Sequence, residues 1–219
     1  MPRKVYALWL LPVLAFPSAA ADVSVTPDAD PRGNAPVRIG AMIGVLSVPR
    51  PIDVEAFVRI ENRFAFGISY SDLPHFVASP LLSAAGANSD TMTARLDDFS
   101  AFEADLRFMP FRSAFFVGAS FGRQALKGAV TESTVVGPQT ATVDTTTWYA
   151  TPRAGWLWTF DRGFLLGVDL GVQLKLAGDE TVIVPAGSPP EVRTRVQNLA
   201  DVGTSYPLPS FHFRVGWIF

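Results

Sequence analysis

The chain has 219 residues, 48% of them hydrophobic and only 17% charged, with 18 Lys and Arg against 20 Asp and Glu for a net charge of −2. This composition excludes the clustered basic surface of a nucleic-acid binder. The absence of cysteine excludes disulfides, thiol chemistry and the lipidated Cys of a lipoprotein, and two histidines leave too few ligands for the usual metal sites.

In chain order, residues 1–21 have the three parts of a secretory signal. Arg3 and Lys4 form a basic start, residues 5–16 an apolar run, and Ser18-Ala-Ala-Ala21 the small residues before a cut. The apolar run falls short of the ~20 residues that a spanning helix needs, so export and cleavage after Ala21 are expected. Loss of Arg3 and Lys4 leaves 16 basic against 20 acidic residues, a mature charge of −4. Residues 22–36 (DVSVTPDADPRGNAP) are rich in Pro, Asp and Gly and read as a flexible lead-in.

From residue 37 onward apolar side chains recur at every second position, the period of a strand. About eight strands are expected, at 37–47, 53–61, 63–71, 99–108, 114–125, 145–159, 163–176 and 208–219; ten is the alternative count. The connections alternate. Glu61-Asn-Arg63, Met109-Pro-Phe-Arg-Ser113 and Phe160-Asp-Arg-Gly163 are tight, whereas 72–98, 126–144 and 177–207 are long, with 47–52 a shorter member of the second set. The Thr/Val-rich stretches 129–136 and 140–147 read as a hairpin that extends two strands, and 179–195 as a second one around Ala186-Gly-Ser-Pro-Pro190. Residues 73–86 are unusually apolar for a connection and are expected over the mouth on the long-loop side. Pro152 falls inside a strand, where its missing N–H calls for a bulge or local break.

Alternation also sorts the side chains. Phe64, Phe108, Phe115, Trp158, Phe164 and Phe219 take the apolar parity next to the tight turns. Tyr70, Phe102, Phe121, Trp148 and Phe211 take it towards the other ends, so two aromatic girdles are expected. Nine glycines, from Gly40 to Gly216, fall on the opposite parity, which suits a narrow interior. Arg38, Glu55, Arg59, Glu103, Asp105, Arg107, Arg153, Asp169, Lys175 and Arg214 share that inward parity. Counting from the tight-turn ends puts Glu55, Glu103, Arg153, Asp169 and Arg214 in one layer. A turn at 160–163 that pairs Trp158 with Phe164 would set Arg153 opposite Asp169, an ion pair that Arg214 shares. Such a layer reads as a charged plug in a lumen too narrow for an open bore, with a narrow pore as the alternative.

The last nine residues close the pattern. Phe211, Phe213, Val215, Trp217 and Phe219 alternate with His212, Arg214, Gly216 and Ile218. This ending resembles the C-terminal assembly signal of bacterial outer-membrane β-barrels, and residues 37–219 as a whole resemble the small eight-stranded OmpA/OmpX/OmpW kind. The resemblance implies an all-β, closed, antiparallel up-and-down transmembrane barrel in a Gram-negative outer membrane. Its tight turns would be periplasmic and its long loops extracellular. It also implies insertion by the barrel-assembly machinery, contact with outer-membrane lipid and lipopolysaccharide, and a monomer. Relatives of this architecture include structural, adhesive, solute-conducting and lipid-modifying members. Ser210 and His212, two apart on one face, are the sole approach to a hydrolase arrangement, and their inward parity turns them away from lipid. The expectation is a non-enzymatic barrel without catalytic residues, cofactor or metal that presents its loops for envelope structure or interaction. The alternative is a narrow conduit for small or hydrophobic solutes.

Overall fold

The structure is a computed structural model that describes residues 35–44, 46–74, 77–78, 92–134, 137–204 and 207–219. The signal segment, residues 22–34 of the lead-in and most of the apolar 73–86 connection lie outside the described residues. Eight strands follow one another: β1 (Val37–Gly44), β2 (Ile52–Ile60), β3 (Phe64–Asp72), β4 (Met92–Phe108), β5 (Phe115–Thr134), β6 (Gly137–Thr159), β7 (Phe164–Ile183) and β8 (Leu208–Ile218). Each pairs antiparallel with the next, and β8 returns to β1 from Gly40↔Ile218 to Gly44↔Arg214, which closes the sheet into a barrel. Closure gives each strand a neighbour on both sides along the barrel proper, while the loop-end parts of β4 and β7 run past the ends of β3 and β8. The tight connections 61–63, 109–114 and 160–163 share the end where β1 starts and β8 stops, here the turn end. The remaining connections share the other, the loop end.

All eight expected strands are present, with β4 to β7 extended well beyond their expected limits on the loop-end side. The 129–136/140–147 hairpin is part of that extension, with β5 and β6 paired from Phe115↔Trp156 out to Thr134↔Gly137. The second expected hairpin is not formed. Strand β7 ends at Ile183, and α1 (Pro190–Thr204) follows. Val192, Val196, Leu199 and Ala200 recur at helical spacing, and all four are buried. They pack with Met92, Leu96, Leu126, Val130 and Val143 of β4 to β6, so α1 closes the inside of the extended part like a cap. Ala78 joins the same cluster and Leu73 packs against it.

Two bulges shift the register where β4 and β7 extend past their expected limits. In β4 the register with β5 shifts between Leu96 and Asp98, so Asp97 is the extra residue. In β7 the partners run from Trp148↔Ala177 to Tyr149↔Lys175, which leaves Leu176 unpaired. Pro152 pairs with Ala119 on β5, but towards β7 the ladder is interrupted between Ala150↔Leu174 and Arg153↔Gly171. The missing N–H thus opens a local break, and the bulge lies a few residues away.

Turn geometry decides one register. The connection after β6 bends through a short 3-10 turn, Asp161–Gly163, where Gly163 takes φ +85 and its N–H bonds Phe160 O. That consumes more chain than a minimal hairpin. Trp158 therefore faces Leu166, not Phe164, and Asp169 faces Gly155, not Arg153. Closure at the β8–β1 seam depends on Gly216, because a Cβ there would run into the Ala41 carbonyl and the Met42 backbone.

Candidate functional site: the barrel lumen

The interior is layered from the turn end to the loop end. Nearest the turns, Met42, Phe57, Ala65, Met109, Phe116, Leu157, Leu165 and Ile218 meet in an apolar floor. Above it lie four arginines and five carboxylates in two groups, all buried: Arg50 with Glu103, and Arg107, Arg153 and Arg214 with Asp53, Glu55, Asp105 and Asp169. The apolar cluster capped by α1 closes the loop end.

Arg214 is the hub of the network. Its Nε donates to Asp53 Oδ2 at 2.8 Å, while Nη1 lies 3.2 Å from Glu55 Oε2 and 3.3 Å from Asp169 Oδ2. Arg107 Nη2 donates to Glu55 Oε2 at 2.5 Å, and its Nε lies 3.2 Å from Asp105. Arg153 Nη2 meets Asp105, and Nη1 is 3.6 Å from Asp169 Oδ1. Each guanidinium therefore bridges carboxylates from more than one strand, a role that its planar fork of donors serves well.

Glu103 belongs to a separate group nearer the loop end. Arg50, from the connection between β1 and β2, turns into the lumen and places Nη2 3.0 Å from Glu103 Oε1 and 2.9 Å from the Tyr149 hydroxyl. Its Nε donates to Ser71 at 2.7 Å, Nη1 bonds Gln124 Oε1, and its guanidinium lies 5.6 Å from the Tyr149 ring. Tyr149 in turn donates to Glu103 Oε1 at 2.6 Å. Val48 forms an isolated bridge with Phe211 that holds this connection against β8.

Four of the five residues of the expected layer thus occupy one neighbourhood, with Asp169 near both Arg153 and Arg214, and Glu103 lies apart from it. Strands in a barrel tilt and stagger, so counting residues from a strand end does not measure height. Lys175, at the last position before the β7 bulge, is exposed instead of lining the lumen. Asp53 and Tyr149 share the inward parity of their strands and could have been read from it. Arg50 could not, because it stands in a Pro-flanked connection with no periodicity.

Ser210 and His212 are both buried, but their contacts do not make a proton relay. Ser210 Oγ lies 3.5 Å from His212 Nδ1, and Asp169 Oδ1 lies 2.9 Å from that same nitrogen. A relay needs nucleophile and carboxylate on opposite ring nitrogens. No group of three or more His, Asp or Glu placed to hold a metal ion occurs among the described residues.

The outer face has the opposite chemistry. Ile39, Val54, Phe66, Ile68, Tyr70, Phe102, Leu106, Phe121, Leu170 and Trp217 are each about half exposed or more. Around the turn end, Phe64 and Phe108 lie 5.2 Å apart, Phe115 meets Trp156 edge-on at 5.6 Å, and Phe164 meets Trp217 edge-on at 5.2 Å. Trp158 is exposed beside them. Towards the loop end, Phe121 stacks on Trp148 at 5.3 Å, and Tyr70 faces Phe102 across β3 and β4. Along β8, Phe211, Phe213, Val215 and Trp217 point outward, and the N–H of the exposed Phe219 donates to Ile39 O at 2.8 Å. Trp156, Phe111 and Phe160 are further exposed aromatics at the turn end.

No protein-family model matches the chain, and no curated protein matches it. Among solved structures it is similar to Acinetobacter baumannii CarO, at 10% identity over 82% of this chain and 97% of that one, with a TM-score of 0.43. It is similar to a major outer membrane protein from Thermus thermophilus, at 13% identity over 84% and 99%, with a TM-score of 0.44. It is also similar to A. baumannii CarO2, at 8% identity over 85% and 100%, with a TM-score of 0.40. The barrel itself rests on the closed ladder of eight paired strands.

The shared carboxylates make a specific energetic expectation. Arg153→Met and Asp105→Leu, alone and together, should show coupling when unfolding by denaturant is measured in lipid. Coupling between Arg153 and Asp169 should be smaller, because 3.6 Å exceeds hydrogen-bond length and Asp169 retains Arg214 and His212. Strict additivity in both cycles would mean that water solvates each charge alone.

Proposed function

We propose that this chain is an integral outer-membrane β-barrel whose lumen is closed to solute flow by its ionic network. It acts without chemistry of its own, by presenting its loop end outside the cell. The proposal includes cleavage of residues 1–21, a periplasmic 22–36 segment, assembly as a single copy and lipid against the outer face. The observation that supports it best is the inverted distribution of side chains. Arg107 and Glu55 are 1% exposed, whereas Ile68 and Phe102 are 54% and 56% exposed. In water such a surface would be a single apolar patch far beyond what a soluble monomer tolerates. In a bilayer it is the expected exterior, with the aromatic pairs at the headgroup levels. The layered interior supports the closed reading, since an eight-stranded barrel has a core just wide enough for side chains to fill.

The chain lacks cysteine, which makes the orientation directly testable. Ala186, exposed between β7 and α1, and Ser113, exposed in the tight turn before β5, mark the two ends. Ala186→Cys should react with a membrane-impermeant maleimide on intact cells, and Ser113→Cys only after the outer membrane is permeabilised. The reverse pattern would invert the topology. In planar bilayers the refolded protein should show no steady open level, and a steady one would favour the conduit.

A further inference from the structure

We propose that the turn-end mouth of the barrel is a binding site for an oxyanion group, a phosphate or a carboxylate, held by Arg38 and Arg59. These two arginines are directly opposite each other on β1 and β2. Both are buried, at 8% and 6% exposure. Like charges directly opposed in a sheet destabilise it, and a buried charge demands a partner. Neither arginine has one of opposite sign among the described residues. The five lumen carboxylates are engaged by Arg50, Arg107, Arg153 and Arg214. Arg59 Nη1 keeps one neutral bond, to Thr159 Oγ1 at 3.0 Å, while the Nε of both arginines is buried without a partner among the described residues.

The two side chains line a cavity of about 600 Å³ at this mouth. Met109 and Leu157 of the apolar floor form part of its wall, so the cavity lies against the floor on the turn-end side. Arg112, on the tight turn before β5, adds a third cation to the lining, and no acidic side chain among the described residues lines it. Two adjacent guanidiniums with unused donors suit an anion that accepts from both, as phosphate and carboxylate do. The pocket is large enough for the group to be carried on a small solute or on a lipid headgroup.

The test is binding of inorganic pyrophosphate to the full mature chain refolded in an uncharged detergent, followed by titration calorimetry. It requires no assumption about where the barrel resides. Saturable binding at one site per chain is expected. Arg38→Gln and Arg59→Gln should each weaken it about tenfold or more. Arg123→Gln, on the exposed face of β5, should leave it unchanged. Neutralising one of two opposed cations relieves repulsion, so both pocket variants should fold. Without anion, Arg38→Gln should unfold at a denaturant concentration no lower than the parent, and pyrophosphate should raise the parent's midpoint but not the variant's. Displacement of pyrophosphate by micellar phosphatidylglycerol, but not by an uncharged lipid, would assign the group to a headgroup. Indifference to the anionic lipid would assign it to a free solute. Absence of saturable binding, or binding that survives both substitutions, would overturn the site.

Discussion

Arg214→Met should be the most damaging single substitution in the lumen. Arg214 contacts Asp53, Glu55 and Asp169, and is itself 3% exposed. Methionine fills a similar volume but leaves three buried carboxylates facing one another. Asp169 would retain Arg153 and His212, and Glu55 would retain Arg107. Asp53 would be left with the Ser47 hydroxyl at 3.0 Å. Breaking a buried pair by removing one partner costs about 3–5 kcal/mol. Urea unfolding of the barrel in lipid should therefore lose stability on that scale. Adding Asp53→Leu to Arg214→Met should recover part of it. A loss below about 1 kcal/mol, typical of exposed pairs, would mean that water reaches each carboxylate, and would revive the conduit.

Ile68→Arg should have the second large effect, on the opposite face. Ile68 lies midway along β3, between Ala56 and Ala104, and its side chain is 54% exposed. For a protein bathed in water this is a surface position, where a substitution normally shifts stability by no more than about 0.5 kcal/mol. For a barrel in lipid an arginine near the bilayer midplane costs about 2–4 kcal/mol. Refolding into vesicles should then be impaired, whereas the same change at Ala186 should be neutral. Equal behaviour at the two positions would sink the membrane reading, because it is the solvent around Ile68 that the comparison measures.

The period-two pattern was enough to read about eight strands against an alternative of ten, their antiparallel order and most of the side chains that face in. Side-chain direction alternates strictly along a strand, and in β8 Phe213 and Arg214 have so little in common that no other face assignment is sensible. Inward parity also exposed most of the charges of the network. The same pattern could not reveal where parity resets. A bulge is one extra residue, and nothing in the local composition around Asp97 or Leu176 distinguishes it from a continuing strand.

Partner choice in the lumen required the tertiary structure, for three physical reasons. The 3-10 turn at Asp161–Gly163 sets how much chain the connection consumes, which moved Asp169 from opposite Arg153 to opposite Gly155. Strand tilt and stagger then decide which charges share a height, and this placed Glu103 with Arg50 and Tyr149 and left Arg214 as the hub. Arg50 itself enters from a segment without periodicity, so only the folded connection could bring it to Glu103. The helix α1 was legible in the spacing of Val192, Val196, Leu199 and Ala200, but the Gly-Ser-Pro-Pro turn before it suggested a hairpin. The sequence by itself determined an inside-out barrel of about eight strands, because alternation is a local property, and the closed ladder decided eight over ten. The pairing of charges within it, and the two opposed arginines at its mouth, are properties of the closed tube, where residues far apart in the chain converge.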